Sequence, residues 1–184
     1  SWITFTGVMM HPRHKPEITP QRIQELYEYD KDKGIIIQVQ TGVKKRRMVL
    51  PHPEDGSVVV YDPVGCVRQK MLYRNLAYVL GTGDRIPAGK KVLCHNLNDT
   101  DVSFRNLKLV DKQVYRDVQI AIRNLEGDLK IIQHPKDKHA YCVVWNEYKR
   151  QKTEVHYDIG AAEEAYRAKA LEFVKFVNRH IVSN

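Results

Sequence analysis

The feature that most restricts the fold lies at the end of the chain. Ala162, Tyr166, Ala170, Phe173, Val174, Val177 and Ile181 recur at helical spacing and mark a long helix with one apolar stripe. A helix of this kind needs a surface to cover. The three short apolar runs before it, at 129–133, 140–145 and 153–157, read as strands joined by polar turns and can supply one. With 184 residues, 42% hydrophobic and 28% charged, the chain is long enough to bury a core as one domain or two small ones. That balance excludes a disordered chain and a membrane span.

The earlier part mixes short elements. Thr19 and Pro20, followed by Ile23, Leu26 and Tyr27, predict a short capped helix ending near residues 30–34. β-Branched runs at 35–39, continuing to Val43, and at 58–61 predict strands of an antiparallel sheet. Leu72, Leu76 and Leu80, with Tyr73 and Ala77 beside them, predict a helix over 71–80 that Gly81 and Gly83 end. A turn at 87–89 leads into a strand at 91–93. A polar loop at 96–101, an apolar run at 104–110 and a helix over about 112–124 follow. The fold class is therefore α+β, with residues 1–125 as one region and 126–184 as a second, and there is no internal repeat.

Thirty Lys and Arg face 22 Asp and Glu, a net charge of +8, which points to a polyanionic partner, nucleic acid before lipid. The surplus is six over residues 1–110 and two over 111–184, so contact is expected to centre on the first part. Cys66, Cys94 and Cys142 form no CxxC pair and leave an odd one over, which argues for a reducing compartment and against structural zinc. The apolar opening lacks the basic start and small-residue cleavage site of a signal peptide. The expected location is the cytoplasm.

Four stretches carry the clearest motif: Tyr73-Arg74-Asn75-Leu76-Ala77-Tyr78, Ile86-Pro87-Ala88-Gly89, Val92-Leu93-Cys94-His95-Asn96 and Phe104-Arg105-Asn106-Leu107-Lys108. In order and spacing they resemble the phage-type HNH homing endonucleases. There a helix reading "HRLAW" precedes a Pro-Gly turn, a strand ending in Asp-His, a polar loop and "SNLR". The resemblance implies a ββα centre holding one Mg2+ or Mn2+, whose charge stabilises the transition state while a His takes a proton from water. It implies His95 as base, Asn106 as the residue that holds the loop, and Arg74 or Lys91 near the scissile phosphate. The family's Asp-His pair falls on Leu93-Cys94 or on Cys94-His95, depending on loop length, and neither register supplies the Asp. The ligand on the following helix falls near Tyr115 and Arg116, and the His of "HRLAW" is Tyr73. Asp99 and Asp101 are the candidate metal ligands, and Asp111 or Asp117 could likewise rescue a metal site from a shifted position. Whether or not the chain cuts, Asn106 ties the hairpin to its own backbone, and the default role of Cys94 is a small buried apolar residue.

Residues 129–182, with 141–145 as the middle strand and Asp158-Ile159-Gly160-Ala161-Ala162-Glu163-Glu164-Ala165-Tyr166 as the helix start, resemble an AP2-like DNA-binding domain. That resemblance implies a sheet face, opposite the helix, that enters the major groove, with Lys149, Arg150 and Lys152 on its hairpin. The densest basic run is Lys44-Lys45-Arg46-Arg47, a second phosphate-contact candidate, and His11, Arg13, His14 and Lys15 form a possible arm. The implied function is double-stranded DNA binding, with metal-dependent nicking or cleavage if the site is active, in a bacterial host cytoplasm if the chain is phage-encoded. The alternative is a catalytically dead HNH descendant that regulates on DNA or inhibits a host nucleic-acid enzyme, with a host or phage protein as partner.

Overall fold

The structure is a computed structural model and describes residues 17–39 and 46–181. Helix α1 (Pro20–Leu26) is capped by Thr19, whose Oγ1 accepts from Arg22 N at 3.2 Å. It stops earlier than predicted, because Tyr27–Asp30 forms strand β1. Tyr27 is buried and Tyr29 packs on the same core, while Glu28 faces solvent, an alternation that suits a strand and not a helix turn. Asp30 Oδ1 accepts from Asp32 N and Lys33 N, and Gly34 at φ 68° completes the reversal into β2 (Ile35–Gln38). Strand β3 (Arg47–Met48) adds to the other edge of β2.

Strands β4 (Ser57–Asp62) and β5 (Val67–Leu72) form a separate hairpin, so the strands predicted to share one sheet lie in two. β5 runs without a break into α2 (Tyr73–Thr82), which makes Met71 and Leu72 strand and not helix. Gly83, at φ 74°, ends α2 by donating to Val79 O. Gly81 lies inside the helix because the Phe104 ring packs where its Cβ would be, only 2.5 Å away. Helix α2 lies at the centre of the first core. Its Tyr73, Leu76, Ala77, Val79 and Leu80 pack with Ile23, Leu26, Ile36, Val58, Val60 and Val102. Arg22 fastens α1 to the end of β4 through both oxygens of Asp62, at 3.1 and 3.0 Å.

A third hairpin, β6 (Lys90–Cys94) and β7 (Leu107–Asp111), leads directly into α3 (Lys112–Arg123), a ββα order. The β1–β2 turn braces the loop between these two strands. Phe104 N donates to Lys31 O at 2.8 Å, and Tyr29 OH donates to Val102 O at 2.5 Å.

After a wide turn at 124–128, strands β8 (Lys130–Gln133), β9 (Tyr141–Glu147) and β10 (Arg150–His156) form an antiparallel sheet with β9 in the middle. Helix α4 (Ile159–His180), capped by Asp158, covers one face. There Ala162 packs on Val143, with Tyr166, Ala170 and Phe173 around them. Val174 is exposed, so the buried stripe is narrower than the sequence period suggests. Every strand pairing is antiparallel and the architecture is α+β. Among the described residues no helix is long and apolar enough to cross a membrane.

Candidate functional site

The β6–β7 register pairs Cys94 with Leu107, and His95 N then donates to Asn106 O at 2.8 Å. Asn106 closes the loop from beneath, as expected. Its Oδ1 accepts from Asn96 N at 3.0 Å, and its Nδ2 donates to Asn96 Oδ1 at 2.9 Å and to Asp101 O at 2.6 Å. Three bonds from one buried amide hold the twelve-residue loop 95–106.

Between this hairpin, α2 and α3 lies Arg74, which is 8% exposed. Its Nε donates to Val92 O at 2.9 Å and its Nη2 to Tyr115 OH at 2.8 Å, while Nη1 lies 3.3 Å from Asp99 Oδ2. Arg74, expected near the scissile phosphate, is therefore buried with its guanidinium already engaged by protein groups. A long side chain on the first turn of α2 reaches inward, and satisfying its charge there keeps it inside. Lys91 lies outside this pocket, with Nζ 4.8 Å from the centroid of the Tyr115 ring. Burial raises the Tyr115 hydroxyl above its ordinary pKa, and Arg74 pulls the other way.

The Cys94 thiol faces the same pocket. Burial pushes it up to about 12, with Asp99 adding to the shift and Arg74 opposing it. His95 is half-buried. Its Nδ1 is shielded and has no hydrogen-bond partner among the described residues, and burial, then Lys108, lowers its pKa.

The two candidate metal ligands are engaged elsewhere. Asp99 pairs with Arg74. Asp101 accepts from Ser103 Oγ at 2.8 Å, Ser103 N at 3.2 Å and Asn96 Nδ2 at 2.7 Å, and the Ser103 hydroxyl first among these holds it below the usual carboxylate range. Among the described residues no three His, Cys, Asp or Glu side chains converge on one point. A hard divalent ion prefers oxygen ligands, whereas this pocket presents a protonated thiol, a phenol and a guanidinium already beside the nearest carboxylate. These residues do not fit Mg2+ or Mn2+.

The predicted DNA-contact residues separate into distinct places. Lys44 and Lys45 lie outside the described residues, as do His11, Arg13, His14 and Lys15. Arg46 is paired with Glu28, and Arg47 is exposed on β3. Lys152 pairs across the hairpin with Trp145 and so shares the α4 side of the sheet, where its Nζ is 3.7 Å from Glu147. The face away from α4 carries Lys130 as its one cation among the described strand residues, beside the exposed apolar side chains of Ile132 and Val155. The basic major-groove face that the AP2-like resemblance implies is thus not the face these strands present.

Lys149 and Arg150 lie at the β9–β10 turn, facing Arg116 and Arg123 of α3 across an open cleft of about 590 Å³. Sequence reasoning missed Arg116, Arg123 and Tyr148. The signal available was the i, i+4, i+7 spacing of Arg116, Ile120 and Arg123, which places them on one face of α3. Asn124 joins the two parts of the chain here. Its Nδ2 donates to Asn146 O at 2.8 Å and its Oδ1 accepts from Asn146 N at 2.9 Å. In comparisons with known proteins, no family model, no curated protein and no solved structure matches the chain.

Proposed function

We propose that this protein binds double-stranded DNA and holds it without metal-dependent cleavage, as a non-cleaving relative of the HNH type. The observation that carries the reading is the guanidinium of Arg74, fixed between Val92 O, Tyr115 OH and Asp99 where hairpin and helix meet. In the register that sets His95 opposite Asn106, the resemblance puts its Asp ligand at Cys94 and its helix ligand near Tyr115 and Arg116, and Arg74 supplies a permanent positive charge beside Cys94 and Tyr115. A second cation there would meet repulsion in a poorly hydrated pocket. The net charge of +8 supports a polyanionic partner.

One observation favours retained cleavage. His95 follows the end of β6 with its amide held to Asn106 O, and burial, then Lys108, lowers its pKa, the direction that favours the neutral imidazole of a general base. A gel shift of linear duplex in EDTA, run beside a supercoiled-plasmid nicking assay with magnesium and with manganese, decides between the readings. The expected result is a shift in EDTA and no nicking. Metal-dependent nicking that disappears in His95→Ala establishes the enzyme instead, and no shift under any condition removes DNA as the partner.

A further inference from the structure

Several cations of the described chain have acidic partners, among them Arg22 with Asp62, Lys70 with Asp55, Arg85 with Glu17 and Lys90 with Asp111. Arg116, Arg123, Lys149 and Arg150 make no ion pair among the described residues, yet they converge on the cleft between α3 and the β9–β10 turn. Two carboxylates also line it, each with another partner. Asp128 accepts from Asn146 Nδ2 at 3.0 Å, and Glu147 lies by Lys152. Four cations with only two carboxylates among them leave the lining with a net positive charge of two, and a polyanion relieves the repulsion that remains.

The cleft is shaped as well as charged. The Arg116 guanidinium lies 3.7 Å from the centroid of the Tyr148 ring, which fixes its plane, and Lys149 Nζ lies 5.1 Å from the same ring. Arg116 Nε is shielded from solvent and bonds to nothing in the described chain, and Arg116 itself is partly exposed where it lines the cleft. Lys149 itself is at φ 60°, a conformation that a lysine rarely adopts, and it sits at the turn that brings its side chain to the cleft.

We infer that this cleft is a phosphate-binding site that grips the sugar–phosphate backbone of bound DNA and thereby spans α3 and the second sheet. A planar guanidinium matches two oxygens of a phosphodiester, and Lys149 and Arg150 add point contacts from the opposite wall. The site reads charge and backbone shape and not base sequence. The inference rests on the DNA-binding reading above and assigns its phosphates to particular residues.

The test is fluorescence anisotropy of a labelled duplex titrated with the full chain over a range of salt concentrations. The variant is Arg123→Ala combined with Lys149→Gly. Both positions are exposed, and glycine accepts the backbone of residue 149, so the fold is expected to persist, as a thermal melt checks. Each phosphate contact contributes about 0.9 to the slope of log K against log salt, so the double variant should lose about two units of slope. Affinity near physiological salt should fall at least roughly tenfold on the same basis. Lys33→Ala, on the distant β1–β2 turn, should leave the slope unchanged. Steep wild-type binding with an unchanged slope in the double variant overturns the cleft and leaves the DNA reading intact. No wild-type binding overturns both. Loss of binding to a polyglutamate peptide but not to duplex also overturns the inference and assigns the cleft to an acidic protein.

Discussion

Replacing Arg74 with methionine keeps the length and the apolar stem of the side chain but removes the guanidinium. Val92 O and Tyr115 OH then each lose a donor, described at 2.9 and 2.8 Å. A buried group left unpaired costs about 1–3 kcal/mol, and relief of the buried charge offsets part of the total. The expected loss is about 2–4 kcal/mol in urea denaturation at neutral pH, or a fall in Tm of about 5–15 °C at the sensitivity usual for a chain of this size. Asp99 is 61% exposed at its side chain, so Asp99→Asn should cost less than about 1 kcal/mol. The sharper result is a double-mutant cycle. Tyr115→Phe in the parent strips a hydrogen bond from a charged donor and should cost about 1–2 kcal/mol. In the Arg74→Met background the same change removes an orphaned hydroxyl and should be neutral or stabilising. The coupling is therefore about 1–3 kcal/mol. Additive losses would refute the view that Arg74 and Tyr115 satisfy each other inside the pocket.

Gly34→Ala places a Cβ at φ 68° within 2.5 Å of Ser103 N and 2.8 Å of Val102 C, backbone atoms that cannot swing aside. It should cost about 2 kcal/mol or more, against about 1–2 for Gly89→Ala, where the space is open and only the left-handed conformation is penalised. Equal midpoints in urea would contradict the close packing of turn and loop. With a thiol reagent near neutral pH, exposed Cys66 should react quickly, while buried Cys94, pushed up to about 12, and buried Cys142 should react only on unfolding; fast native labelling of Cys94 would overturn its placement. Burial raises Tyr27, Tyr73 and Tyr115, so the folded state keeps phenol protons that the unfolded chain releases near pH 10. Their contribution to stability is complete below about pH 10 and is lost as pH rises further, which denaturation across that range with phenolate absorbance will show. His95 has the opposite sign. Its pKa is lowered, first by burial, so its contribution is present above about pH 6.5 and declines as pH falls, and His95→Gln should flatten that acid limb of the stability profile.

The parts legible in the sequence are those whose determinants are local. The Leu129–Tyr157 runs and the stripe at Ala162, Tyr166, Ala170 and Phe173 sit within reach of one another, and they form the second sheet and α4 much as their periods indicate. The turn at 87–89, the polar loop and Asn106 were legible for the same reason. Strand β1 was missed because Leu26 and Tyr27 continue a helical spacing, and only its pairing with β2 decides against it. Strand β5 was missed because Val67, Gln69 and Met71 alternate weakly and no turn separates them from α2. The Arg74 pocket was hidden differently. Its partners lie 18 and 41 residues further on, and nothing next to Arg74 in the chain signals that its charge turns inward.

The brace between the β1–β2 turn and the loop before Asn106 bears on how this chain can be divided or exchanged. Tyr29 reaches across 73 residues of sequence to Val102, and Gly34 lies flat against Ser103, so the loop is shaped from outside its own hairpin. A ββα segment lifted out between residues 85 and 123 would leave behind both that brace and Arg74. Such a segment is not a transferable cassette here, and recombination that preserves it must carry the chain from α1 onward. Another join lies after α3, where Asn124 and Asn146 clasp backbone to amide while α3 packs along α4, so a shuffled second sheet would have to keep both the two asparagines and the helix face that meets α3.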